Sequence, residues 1–163
     1  MYERELKAHA FMFDYLRRLA ADLPDERLAE QPHPGMNHPA WILGHLAIAY
    51  DYVGNCVGLP LLLKRWHPLY APGTSPIPER SKYPAKAELL GKLEENAARV
   101  LPAVPTADPA RLANPQPVEL LKPHIATVGD LLTHLLTSHI GTHVGQLSVW
   151  RRVIGMPGVM NNP

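Results

Sequence analysis

Eighteen prolines in 163 residues decide where this chain can be regular, because twelve of them fall in two short stretches. Proline lacks the backbone N–H that a helix needs and its ring clashes with the preceding turn, so it confines long helices to the gaps between prolines. Pro60, Pro68, Pro72, Pro76, Pro78 and Pro84 break up residues 58–84, and Pro102, Pro105, Pro109, Pro115, Pro117 and Pro123 break up 102–123. Four helix-length windows remain.

Each window carries helical spacing of apolar residues. Residues 2–22 place Leu6, His9, Phe13, Leu16 and Ala20 on one side, and Pro24 closes the segment. Asn37-His38-Pro39 offers a cap followed by proline in a first turn, so a second helix is predicted from Pro39 to about Val57. Lys86 to Leu101 carries the stripe Leu89, Leu90, Leu93, Ala97 and Val100, ended by Pro102. Thr127-Val128-Gly129-Asp130 has the shape of a capping box with Asp in place of Glu, opening a last helix that runs to about Ile154 and stops at Gly155. No segment alternates as a strand does. Four apolar stripes bury one another most simply in an all-α four-helix bundle, and the proline-rich connections predict at least one long crossover. The length fits one domain spanning residues 1–163.

The totals exclude several functions. A net charge of +1 without a basic stripe gives no footprint for nucleic acid. No apolar run reaches the length needed to span a bilayer, and Met1-Tyr2-Glu3-Arg4-Glu5 opens no signal-peptide core, so a cytoplasmic protein without membrane contact is expected. Cys56 stands alone, which removes internal disulfides and cysteine-based metal clusters. Nine histidines are what distinguishes the composition.

In a regular helix His139 and His143 differ by roughly 40° around the axis and about 6 Å along it, so both imidazoles face inward and both can reach one ion. They share that line with Leu132, Leu136, Gln146, Leu147 and Trp150. Two packed core histidines, each bonded to a neighbour, would have the same spacing. His45, inward on the second helix with Trp41, Ile42, Ala49 and Tyr52, is the first candidate for a third ligand, and His9 the second. His38 belongs to the helix entrance. His134 is excluded, since regular geometry sets it roughly 140° from His139, in a strip with Ser138, Gly141, Gly145, Ser148 and Arg152. The two glycines there imply either close approach of another helix, within the bundle or across a dimer, or a solvated face.

Gln146, one turn beyond His143, is placed to orient a ligand as a catalytic residue, or else to make a hydrogen bond inside the bundle. Arg151 and Arg152 either meet carboxylates of a cofactor or complement the negative end of the last helix. The run His139-Ile140-Gly141-Thr142-His143 has no glutamate after its first histidine, so a zinc-protease reading fails.

Trp41-Ile42-Leu43-Gly44-His45-Leu46-Ala47 together with His139-Ile140-Gly141-Thr142-His143-Val144-Gly145-Gln146-Leu147 resembles the DinB-like (YfiT-like) superfamily of four-helix-bundle metalloenzymes. The likeness extends to the proline-rich loop after helix two and the Arg151-Arg152 ending. It implies His45, His139 and His143 as ligands of a divalent metal and a homodimer acting on a small molecule; imidazole-rich sites suit zinc, nickel, copper and iron, of which zinc or nickel is expected. The relatives it implies include thiol-dependent S-transferases and a mycothiol-dependent isomerase, so S-transfer with a low-molecular-weight thiol is the expected chemistry. Three imidazoles would leave a coordination position open, as catalytic sites do. A metal-dependent hydrolase and a non-catalytic metal- or ligand-binding bundle are the alternatives. Cys56 matches no ligand position.

Overall fold

A computed structural model of the chain describes residues 1–160. Four long helices carry it: α1 (Glu3–Ala21), α2 (Pro39–Cys56), α3 (Lys86–Val100) and α4. The last is one continuous rod made of Val128–His134, a π-helical stretch Leu135–His139, and Ile140–Val153. Among the described residues no strand forms, apart from an isolated bridge between Pro115 and Thr127.

Local chemistry sets the helix ends. His38 caps α2 by accepting the Trp41 N–H on Nδ1 at 3.2 Å, and its Nε2–H donates to the Ile77 carbonyl at 2.9 Å. Pro39 then sits in the first turn, where its missing N–H costs nothing. Thr127 and Asp130 form a reciprocal capping box, so the shorter acid serves. Pro102 does not end the third helical segment outright. The chain continues as a 3-10 helix, Leu101–Thr106, whose opening turn tolerates proline for the same reason.

Cross-helix bonds define the wiring. Tyr2 Oη donates to the Gly129 carbonyl at 3.2 Å, and at the other end Arg151 donates to the Leu19 carbonyl at 2.8 Å, so α1 and α4 run parallel. Asn37 lies beside Gln146 and His45 beside His139, which sets α2 antiparallel to α4. Asn96 reaches the Ala47 carbonyl and Arg99 reaches Asp51, so α2 and α3 run parallel. Two parallel neighbours in sequence need a connection that returns along the whole bundle, and residues 57–85 supply it. This is the predicted crossover.

The return is pinned at its start. Asp51, fully buried, accepts the Leu62 and Leu63 N–H groups, each at 2.7 Å, and pairs with Arg99 at 2.7 Å. Three partners satisfy a charge that burial alone would penalise by several kcal/mol. Short turns, Lys64–Trp66, His67–Tyr70 and Arg80–Lys82, then fold the segment against the bundle.

Almost every residue of α2 is buried. A helix apolar on all sides belongs at the centre of its fold, and α2 touches both α3 and α4. The core runs from Leu16 through α2 to Trp150. Gly141 and Gly145 meet nothing within 4 Å of where a Cβ would sit, so close approach inside the bundle is not why they are glycine. No helix among the described residues is long and apolar enough to cross a membrane.

Candidate metal centre

Antiparallel pairing of α2 with α4 brings His45 opposite His139 and His143. One ligand-capable nitrogen from each lies within 4.8 Å of the others, with His45 and His143 buried and His139 partly so. His45 Nε2 and His139 Nε2 are 3.0 Å apart. Four-coordinate zinc with its usual Zn–N distances separates neighbouring nitrogens by about 3.3 Å, so the spacing of this pair is close to what one ion requires.

The far nitrogens show which atoms are free to bind. His45 Nδ1 lies 2.6 Å from the Tyr70 carbonyl and His143 Nδ1 lies 2.9 Å from Gln146 Oε1. Carbonyl oxygens only accept, so both Nδ1 atoms carry the proton and both Nε2 atoms are bare lone pairs. That is the tautomer a metal-binding histidine adopts when a neighbouring oxygen orients it. His139 Nδ1 is buried without a partner. The donor set therefore fits a divalent cation.

Two neighbours build the oxygen acceptors. Gly44 lets the Tyr70 ring lie against α2, since a Cβ there would come 2.1 Å from Tyr70 Cε1, and this contact seats the Tyr70 carbonyl on the adjacent His45. Gln146 Oε1 also accepts from Asn37 Nδ2 at 3.1 Å, which fixes its amide towards His143. Trp41 stacks on His45 at 4.5 Å and 11° and is itself held by a 3.0 Å bond from its Nε1–H to Thr74 Oγ1.

His134 departs from the sequence expectation. The π-helical stretch Leu135–His139 lies between it and the site, and π bonding joins residues five apart rather than four. A separation of five residues is then close to one full turn, so His134 and His139 share a side, with ring centroids 5.5 Å apart. Regular α geometry, which sets them on different sides, does not apply here. Nothing in residues 128–139 announces the π stretch. His134 remains outside the three-nitrogen cluster and pairs its Nδ1 with Ser138 Oγ at 2.7 Å.

Electrostatics keep the cluster neutral. Burial first, then the imidazoles of His143, His45 and His134, push His139 down to about 2. Burial and His45 lower His143 to about 4, and burial lowers His45 against the opposing Tyr70 bond. Neutral imidazole is the form that binds metal.

Beside the cluster lies a cavity of about 270 Å³. Trp41, Ile48, Ala49, Leu131 and Leu135 form its helical walls, Val118, Leu120 and Leu121 its outer wall, and His45, His134 and His139 one side. None of its lining residues is Asp, Glu, Lys or Arg.

Other candidates are engaged elsewhere. His9 is buried against Phe13, with Nε2 2.6 Å from Tyr50 Oη, and lies outside the cluster. Arg151 is fully buried, bonding the Leu19 and Pro157 carbonyls and Asp22, and so cannot meet a cofactor. Cys56 is buried, which pushes its thiol up to about 11.

A helical bundle with inward histidines from two antiparallel helices defines the class of this protein. The model of the DinB superfamily matches residues 9–147, and the chain belongs to that superfamily. No curated protein and no solved structure matches it.

Proposed function

We propose that His45, His139 and His143 hold a divalent ion, zinc or nickel, at a centre for thiol-dependent S-transfer to a small electrophile. The observation that carries this reading is the placement of the Tyr70 and Gln146 carbonyl oxygens against the Nδ1 atoms of His45 and His143, which leaves their two Nε2 atoms beside His139 in one small space. A bound ion would supply a Lewis-acidic position at which a low-molecular-weight thiol is favoured in its deprotonated, nucleophilic form. The chain's own contribution is orientation and exclusion of water. Tyr70 and Gln146 fix two imidazoles, Trp41 covers His45, and the apolar cavity holds a second reactant against them. In this reading Gln146 acts as a positioning residue through His143.

The wall contains no carboxylate to serve as general base, which favours thiol transfer over hydrolysis. One observation supports the hydrolase alternative: His134 places an additional imidazole in that wall. The same proposal takes residues 1–163 as one domain, a homodimer of the cytoplasm.

Metal content of the purified protein and of His45→Ala, His139→Ala and His143→Ala tests the centre, followed by a screen of thiols with electrophiles and of simple esters. Each substitution is expected to abolish stoichiometric metal. Undiminished metal in all three would end the proposal, and ester turnover without thiol would move the assignment to the hydrolase.

A further inference from the structure

We infer that the cavity beside the three histidines binds an uncharged, largely apolar small molecule, seated with its reactive end towards His45 and His139. As a statement about substrate it rests on the metal centre proposed above. Three observations carry it.

The first is charge. With no ionic side chain in the lining, a charged group buried in this cavity away from the histidines would lose its hydration and find no counter-ion among the side chains, a cost that keeps carboxylates, phosphates and ammonium groups out of its depth. Glu119 and Lys122, which flank Leu120 and Leu121 in sequence, pair with each other. The second is size. A volume of about 270 Å³ lies near the lower end of the range for small-molecule sites and admits one compact aromatic or branched aliphatic body. The third is the outer wall. Leu120 is 72% exposed on the 3-10 turn Glu119–Leu121 while its neighbours Val118 and Leu121 are partly buried against the core. An apolar residue held at the mouth gains burial when an apolar guest fills the space beneath it.

Among the lining side chains only the three imidazoles, the Trp41 indole and Tyr52 carry a polar atom. The guest is therefore apolar through its body, with a single polar or electrophilic end.

Binding of N-phenyl-1-naphthylamine, which is uncharged, and of 8-anilinonaphthalene-1-sulfonate, its anionic counterpart, tests the inference by fluorescence titration. Metal-free and zinc-loaded full-length protein are both used. The neutral probe is expected to bind both forms at one site and, in the metal-free form, where no cation faces the cavity, about tenfold or more tighter than the sulfonate. Ala49→Trp, which fills the cavity, and Leu121→Lys, which puts a cation on its outer wall, are each expected to weaken the neutral probe by about tenfold. Circular dichroism checks their folding, and Leu121 lies on a 3-10 turn outside the four long helices. Equal or tighter sulfonate binding by the metal-free protein, or neutral binding that ignores both substitutions, overturns the inference. Normal zinc uptake with no binding of the neutral probe sinks the cavity assignment alone. Normal probe binding in a protein that takes up no zinc sinks the metal centre and leaves the cavity as a binding site.

Discussion

Tyr70 lies across the bare backbone of Gly44, so close that a Cβ at 44 would stand 2.1 Å from its ring. The contact matters because the next residue, His45, gives its Nδ1–H to the Tyr70 carbonyl. A glycine in mid-helix costs about 1 kcal/mol relative to Ala, and here the close packing of the return segment offsets it.

Gly44→Ala is therefore expected to destabilise the fold despite its better helix propensity. Overpacking of this kind costs about 1–3 kcal/mol, and displacing the oxygen that orients a ligand lowers metal affinity by about 10- to 100-fold. Urea unfolding and zinc titration measure the two effects. A more stable variant with unchanged zinc affinity would show that Tyr70 does not position His45.

Gln146 offers a cleaner separation of orientation from folding. Gln146→Leu keeps the bulk but removes the oxygen shared by His143 and Asn37. Zinc affinity is expected to fall by about 10- to 100-fold, with about 1 kcal/mol lost in stability. Gln146→Glu retains the acceptor and should hold affinity near the original value. If Leu and Glu behave alike, the hydrogen bond is not what matters.

Stability of the metal-free protein should depend on pH through its buried imidazoles. Burial lowers His9 and His143 to about 4 and His139 to about 2, and lowers His38 and His45. A folded value below the unfolded one, near 6.5, means the unfolded chain binds more protons between the two, so stability rises with pH across that interval. The contribution is complete above about pH 7 and is lost as pH falls below about 6, down to about 4 for His9 and His143 and to about 2 for His139, by up to about 1.4 kcal/mol per pH unit for each imidazole. Urea midpoints measured across this range check it, and a midpoint that rose on acidification would contradict the burial of these rings.

Two adjacent arginines should differ sharply. Arg151 is fully buried and ties the end of α1 to the segment after α4, whereas Arg152 is exposed. Arg151→Met is expected to cost about 2–3 kcal/mol, a figure held down because the Asp22 it leaves behind is 55% exposed and returns to water. Arg152→Met should stay within about 0.5 kcal/mol. Chemical denaturation of both variants gives the comparison, and similar losses in the two would refute the clamp.

The sequence by itself determined where the long helices lie, because proline and capping residues act within a few positions of themselves. Windows ending near Ala21, Cys56, Val100 and Val153 follow from Pro24, the prolines after 58, Pro102 and Gly155. It also determined which histidines face inward on α2 and on the last turns of α4, since periodicity survives wherever the helix is regular. Tertiary structure alone decided what those histidines meet. A carbonyl from Tyr70, twenty-five residues after His45, leaves no mark on local sequence, because any residue type carries that oxygen. The π stretch turned His134 towards His139 by altering the phase on which every prediction of facing depends. Arg151 likewise reads as a helix-end charge until α1 is packed beside it. Helix formation is governed by near neighbours, whereas the second partner of each imidazole, the apolar cavity and the buried clamp exist only where distant segments meet.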